Sequence, residues 1–248
     1  MRDVFLRVKQ LAEQGDSFAQ NDLGVMYFNG EDIEQSYEKA EHWFRIAALQ
    51  GHADAQYNLA GMYNEGIGVK KSFRDAEYWY RKAAENGHIF AQNNLGSLYD
   101  EREMTEEAKF WFHLAAEQGD EVAQYNLGQI NHKQFVFDKA IMFFTMAAEQ
   151  GFVKAQYKLG ELYSELVHWG EKSFDEKVLL EAKSIYWYEK AAEQGHDMAQ
   201  YRLGMKYTYG IGVEQSFEEA FYWLNKASLS GNIFAKEELS KILGDIKK

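Results

Sequence analysis

Seven histidines, at positions 42, 52, 88, 113, 132, 168 and 196, are the side chains best suited to acid–base or metal chemistry at neutral pH. No two of them are four residues apart, and none sits in a glutamate-flanked helical zinc motif. Cysteine is absent. That removes a thiol nucleophile, a cysteine zinc site and a disulfide framework together. Ser36-x-x-Lys39 has the spacing of a β-lactamase nucleophile pair, but its Ser-Asp-Asn and Lys-Thr-Gly partners are missing. Ser36 also suits a helix start. Gly66-x-Gly68 is read as turn chemistry, because it lies between two helical patterns rather than after a strand. His52, His88 and His196 share one repeat position, held by Asp16 and Asp120 in other copies. That exchange fits the first residue of a helix better than a ligand. The expectation is no catalytic residue, no metal and no cofactor.

The elements around these residues are read from composition and periodicity. The 248 residues are 46% hydrophobic and 16% aromatic, ample for a packed core, with a net charge of −12. The charge disfavours nucleic acid and anionic membrane as partners, since both require a positive face. Proline is absent, which suits a chain helical nearly throughout. The longest apolar stretch, near Ala140 to Ala148, is far short of a membrane span of ~20 residues. The opening residues do not read as a signal peptide. With Met1 as the native start the expected location is cytoplasmic, and with a trimmed leader it is periplasmic or secreted.

A glycine recurs at Gly15, Gly51, Gly87, Gly119, Gly151, Gly195 and Gly231, spaced by 36, 36, 32, 32, 44 and 36 residues. Four residues after each glycine comes an alanine, and four further on a leucine, from Ala19 and Leu23 to Ala235 and Leu239. Tyr27, Tyr63, Tyr99, Tyr163 and Tyr207 close the segment. This spacing marks one face of a helix, here helix A. Ala-x-x-Trp/Phe-aromatic patterns such as Ala40/Trp43/Phe44 and Ala76/Trp79/Tyr80, followed by an Ala pair, mark a helix B. Ser72 with Asp75, Ser173 with Glu176 and Ser216 with Glu219 have capping-box form. A left-handed glycine is expected to end each helix B. The expected organisation is one repeat array over residues 1–248. A half unit, 4–15, precedes full units 16–51, 52–87, 88–119, 120–151, 152–195 and 196–231, and a half unit, 232–248, follows. That predicts 14 helices.

The composite pattern A-x-x-[WYF]-[YF]-x-x-A-A-[EQ]-x-G-x-x-x-A-Q-[YN]-[NK]-L-G-x-x-Y resembles the Sel-1-like repeat family, relatives of the tetratricopeptide repeats, over essentially the whole chain. The resemblance implies an all-α, right-handed α/α solenoid, often bacterial, that acts as an adaptor or scaffold for other proteins. Many secreted bacterial members carry a cysteine pair in each repeat, and this chain has none.

Helix A positions outside the packing stripe are the candidates for binding. The tetratricopeptide likeness assigns them to a concave surface. Phe18 and Phe90 stand just before the signature alanine; Asn21, Tyr57, Asn93, Tyr125, Tyr157 and Tyr201 follow the Ala-Gln pair. Gln129, Glu161 and Met205 come four residues later, in the row that begins Val25, Gly61, Ser97. Two readings stay open for the tyrosines, contact with a partner segment or packing on neighbouring helices. Asn58, Asn94 and Asn126 have the same pair of readings. Unit five gains eight residues, including Trp169, either an exposed anchor or a cover over Leu166 and Phe174. The leading expectation is a non-enzymatic scaffold binding a protein segment, with a basic partner favoured by charge. The alternatives are an immunity protein blocking a toxic effector and, more remotely, a β-lactamase-like or cell-wall-binding enzyme.

Overall fold

The computed structural model describes residues 2–30 and 33–245. Among them lie fourteen α-helices and no strand. The B helices are α1 (Arg2–Glu13), α3 (Tyr37–Leu49), α5 (Phe73–Glu85), α7 (Thr105–Glu117), α9 (Phe137–Glu149), α11 (Phe174–Glu193) and α13 (Phe217–Leu229). The A helices are α2 (Ser17–Asn29), α4 (Ala53–Glu65), α6 (Ile89–Asp100), α8 (Glu121–Lys133), α10 (Val153–Leu166), α12 (Asp197–Tyr209) and α14 (Ile233–Asp245). The fold is the all-α repeat solenoid class that the pattern implies. None of the described helices is long and apolar enough to cross a membrane.

Each B helix passes to the next A helix through the same joint. Gly51, at φ 91°, donates its N–H to the Ala48 carbonyl, and His52 donates its own to Ala47. This is a Schellman closure, and only a residue without Cβ reaches that φ cheaply. His52 then serves the next helix, because its Nδ1 accepts the N–H of Ala55 at 3.3 Å. Asp16, His88, Asp120, His196 and Asn232 play both parts too, capping Ala19, Ala91, Ala123, Ala199 and Ala235. Phe152 is the exception and caps with no side chain.

The A-to-B turns vary. Gly30, Gly66 and Gly210 end their helices in the left-handed region. In the two shortened repeats Glu103 (φ 60°) and Phe135 (φ 59°) take that conformation instead. Ser36 is a helix cap, accepting from the N–H of Lys39 at 3.3 Å. The capping boxes need correction. Only Ser173–Glu176 closes both arms, whereas Ser72 and Ser216 each accept a single backbone N–H.

Packing follows the small residues. A Cβ on Gly24 would lie 2.6 Å from the Phe44 ring, and one on Gly160 would lie 2.5 Å from Tyr188. The B-helix ring fills the notch left in the A helix, while Leu59, Leu95, Leu159 and Leu203 are fully buried beside it. The chain divides into two compact units, residues 1–123 and 124–248, with the boundary inside α8. In the N-terminal unit α2/α3, α4/α5 and α6/α7 pack most closely; in the C-terminal unit α10/α11 and α12/α13 do. The eight added residues lengthen α11 to 20 residues against 13 for α9 and α13.

Candidate binding surface on the A helices

In the N-terminal unit Phe18 and Phe90 are exposed, at 71% and 60%. Phe18 meets the His52 ring edge-on at 4.6 Å. Tyr57 stacks on His88 at 4.7 Å, and Phe90 lies against both. Asn21 is buried and accepts from Asn58 Nδ2 at 3.1 Å. Asn94 Nδ2 donates to the Tyr57 and Tyr80 hydroxyls, each at 3.4 Å. Both asparagines are thus engaged between helices. Asn93 is half-buried. Burial pushes the Tyr80 hydroxyl up to about 12, against the hydrogen bond from Asn94. Beside these residues opens a cleft of about 350 Å³, bounded by Val25, Phe28, Tyr57, Gly61, Met62 and Glu65 over Tyr80.

In the C-terminal unit Tyr125 packs between Phe144 and Phe152, at 5.6 and 5.4 Å. Tyr157 stacks on His196 at 4.4 Å, and Tyr201 meets Phe234 at 6.0 Å. All three tyrosines stay half-exposed while resting on the next A helix. Gln129, Glu161 and Met205 are half-buried.

Glu161 gathers charge. It accepts from the Tyr157 hydroxyl and from Lys158 Nζ, both at 2.7 Å, with Arg202 at 3.8 Å. Burial alone would raise its carboxyl, but the bonds from Lys158 and Tyr157 outweigh that and hold it below its ordinary value. Burial and the neighbouring carboxylate push the Tyr157 hydroxyl up to about 12. Lys206 forms a buried ion pair with Glu181, which the lengthened α11 supplies. Lys158, Glu161, Glu181, Arg202, Met205 and Lys206 line a cleft of about 480 Å³. The third row of the A-helix stripe, as Val25, Gly61, Glu161 and Met205, therefore lines a cleft in each unit.

Trp169 stacks on Phe135 at 5.6 Å and meets Phe137 edge-on at 5.0 Å, remaining 48% exposed. Its cover falls on these two rings and not on Phe174, which is 80% exposed. Among the described residues no group of three or more His, Asp or Glu side chains could hold a metal ion.

One network escaped the sequence reading. The glutamine after the signature alanine is buried at Gln20, Gln56, Gln92, Gln156 and Gln200 and reaches back to a B-helix carbonyl, as Gln56 Nε2 does to Ala48 and Gln156 Nε2 to Ala148, each at 3.1 Å. Its Oε1 accepts from an amide at the end of the next B helix: Gln50 to Gln20, Asn86 to Gln56, Gln118 to Gln92, Gln150 to Gln124 and Gln194 to Gln156. The last rung differs. Ser230 stands where that amide belongs, and Gln200 Oε1 has no hydrogen-bond partner among the described residues. The signal was a glutamine in six successive copies.

The family model described as Sel1 repeat matches residues 17–52, 53–88, 89–120, 122–152, 153–196 and 197–232. The crystal structure of c5321, a protective antigen present in uropathogenic Escherichia coli strains displaying an SLR fold, is 34% identical with a TM-score of 0.88. The match covers 97% of this chain and 52% of that one, so the chain spans about half of that protein's length. A Sel1 repeat protein from Oxalobacter formigenes is 32% identical with a TM-score of 0.67, over 86% of each chain. The immunity protein PA5088 from Pseudomonas aeruginosa, at 18% identity and a TM-score of 0.52 over 83% of this chain and 80% of that one, shares the fold alone. No curated protein matches the chain.

Proposed function

Because this chain belongs to the Sel1 repeat family, whose members generally act through protein–protein interaction, we propose that it is a non-enzymatic scaffold. On this reading a segment of another protein lies along the A-helix stripe. The observation that carries it is the recurrence of one stripe position in an open cleft of both units, with different residue types in each. A repeat conserves what packing requires, so the positions that vary on an exposed face are free to encode a partner. Half-exposed tyrosines beside each cleft supply large contact area at low conformational cost.

Site-specific photo-crosslinking in native cells tests the proposal. A photoreactive residue at Tyr57 or Met205 should capture a discrete protein, whereas one at the exposed Glu149 of α9 should not. Equal capture at all three positions would sink the stripe reading. The enzyme alternative is checked with nitrocefin on pure protein, where no turnover is expected because Ser36 is engaged as a helix cap. Hydrolysis lost in Ser36→Ala would reverse the assignment.

A further inference from the structure

Gly61 lies inside α4, where a glycine costs roughly 0.5–1 kcal/mol relative to alanine. The A-helix glycines that follow the signature leucine answer to packing. A Cβ on Gly24, Gly96, Gly128, Gly160 or Gly204 would come within 2.4 to 2.7 Å of a B-helix side chain. In this repeat that notch position is Ala60, one residue earlier. At Gly61 itself the nearest atom to an added Cβ is the Tyr80 hydroxyl, at 3.8 Å. Packing therefore does not require this glycine. Its missing side chain leaves the cleft open down to Tyr80.

The walls of the cleft include Val25, Phe28, Met62 and Ile67; Asn29, Asn58, the exposed Glu65 and the hydroxyls of Tyr57 and Tyr80 are its polar groups, and Glu65 is its charged side chain. Charge separates the possible occupants. Residues 1–123 carry 12 Lys and Arg against 22 Asp and Glu, a net of −10; residues 124–248 carry 15 against 17, a net of −2. A second copy would bring its own −12 to a surface that is already acidic, which opposes self-association.

We propose that the Gly61 cleft receives one apolar side chain of a basic, amphipathic segment from another protein, with a neighbouring Lys or Arg paired to Glu65. The proposal rests on the scaffold reading and gives it a partner class and an anchor point. A side chain of leucine or methionine size would be buried against Val25, Phe28 and Met62, and Tyr80 would form the floor. The charge of the N-terminal unit would steer the segment to it.

The test is selection of phage-displayed random short peptides on the full chain, followed by binding of synthetic versions. Enriched peptides should carry a Leu, Met or Phe beside Lys or Arg. Gly61→Leu should weaken them about ten- to hundredfold, the value of one buried aliphatic side chain. Glu65→Lys should weaken them further, and exchanging the peptide's Lys for Glu should abolish binding. Gly61→Leu has room and improves helix propensity, so its melting temperature should match or exceed that of the parent. Binding unchanged in Gly61→Leu but lost in Tyr157→Ala would overturn this site while leaving the scaffold reading intact. Enrichment of acidic peptides, or dimerisation abolished by Gly61→Leu, would replace the occupant and overturn the proposal. No enriched peptide on either unit would count against both readings.

Discussion

Two glycines of the same helix type should respond oppositely to the same substitution. Gly61→Ala adds a Cβ in ordinary contact with Tyr80, so chemical denaturation should show a gain of about 0.5–1 kcal/mol. Gly160→Ala places its Cβ 2.5 Å from Tyr188, a fully buried ring with no space to retreat. Overpacking of that kind costs about 1–3 kcal/mol, which outweighs the propensity gain. The capping histidines give a pH prediction. Burial holds His88 and His196 below their ordinary value, against the raising influence of Asp54 on the first and of Asp197 and Glu161 on the second, with Lys158 adding to the depression at His196. A lowered folded-state pKa means that the unfolded chain binds the proton first. Stability is therefore complete above about pH 6.5 and is lost as pH falls through the depressed values. The physical event is loss of the Nδ1 lone pair that accepts the Ala91 or Ala199 N–H. Replacing both histidines with Asn, the residue that caps α14, should flatten the fall in melting temperature between about pH 7 and pH 5. The repeat position of these histidines was legible because Asp alternates with them. The openness at Gly61 was not, because a glycine letter carries no record of how near the next ring lies.

At the scale of the helix, the glutamine ladder couples α2, α4, α6 and α10 each to the B helices before and after it. Ser230→Gln should supply the missing donor to Gln200 Oε1 and raise stability by about 0.5–1.5 kcal/mol, measured by denaturant titration. The same substitution in a Gln200→Leu background should gain nothing, which isolates the pairing. Helix existence and order were legible throughout, since Ala, Leu and Tyr recur at helical spacing. Two features were hidden for a common reason, that they join residues far apart in the chain. Glu181 meets Lys206 across 25 residues, and Trp169 rests on Phe135 across 34. A single sequence marks what each repeat keeps; it does not mark which departures in two repeats touch.

At the scale of the whole molecule, stability is carried by contacts between successive helices, and position along the chain should decide what a cavity costs. Leu159→Ala, fully buried with α9 and α11 on either side, should cost about 2–5 kcal/mol. Leu239→Ala in α14 should cost less, because its helix packs mainly on α13. Equal losses would contradict a nearest-neighbour stack. The joint between B and A helices carries a further consequence. One residue after the left-handed glycine closes one helix and caps the next, so no spacer separates them. Adding a residue there would turn the following helix by about 100° and carry its buried face into water. The A-to-B turns impose no such phase, and every length difference between repeats falls outside the B-to-A joint. New loops can therefore be acquired at the A-to-B turns only, while the B-to-A joints behave as a fixed reading frame.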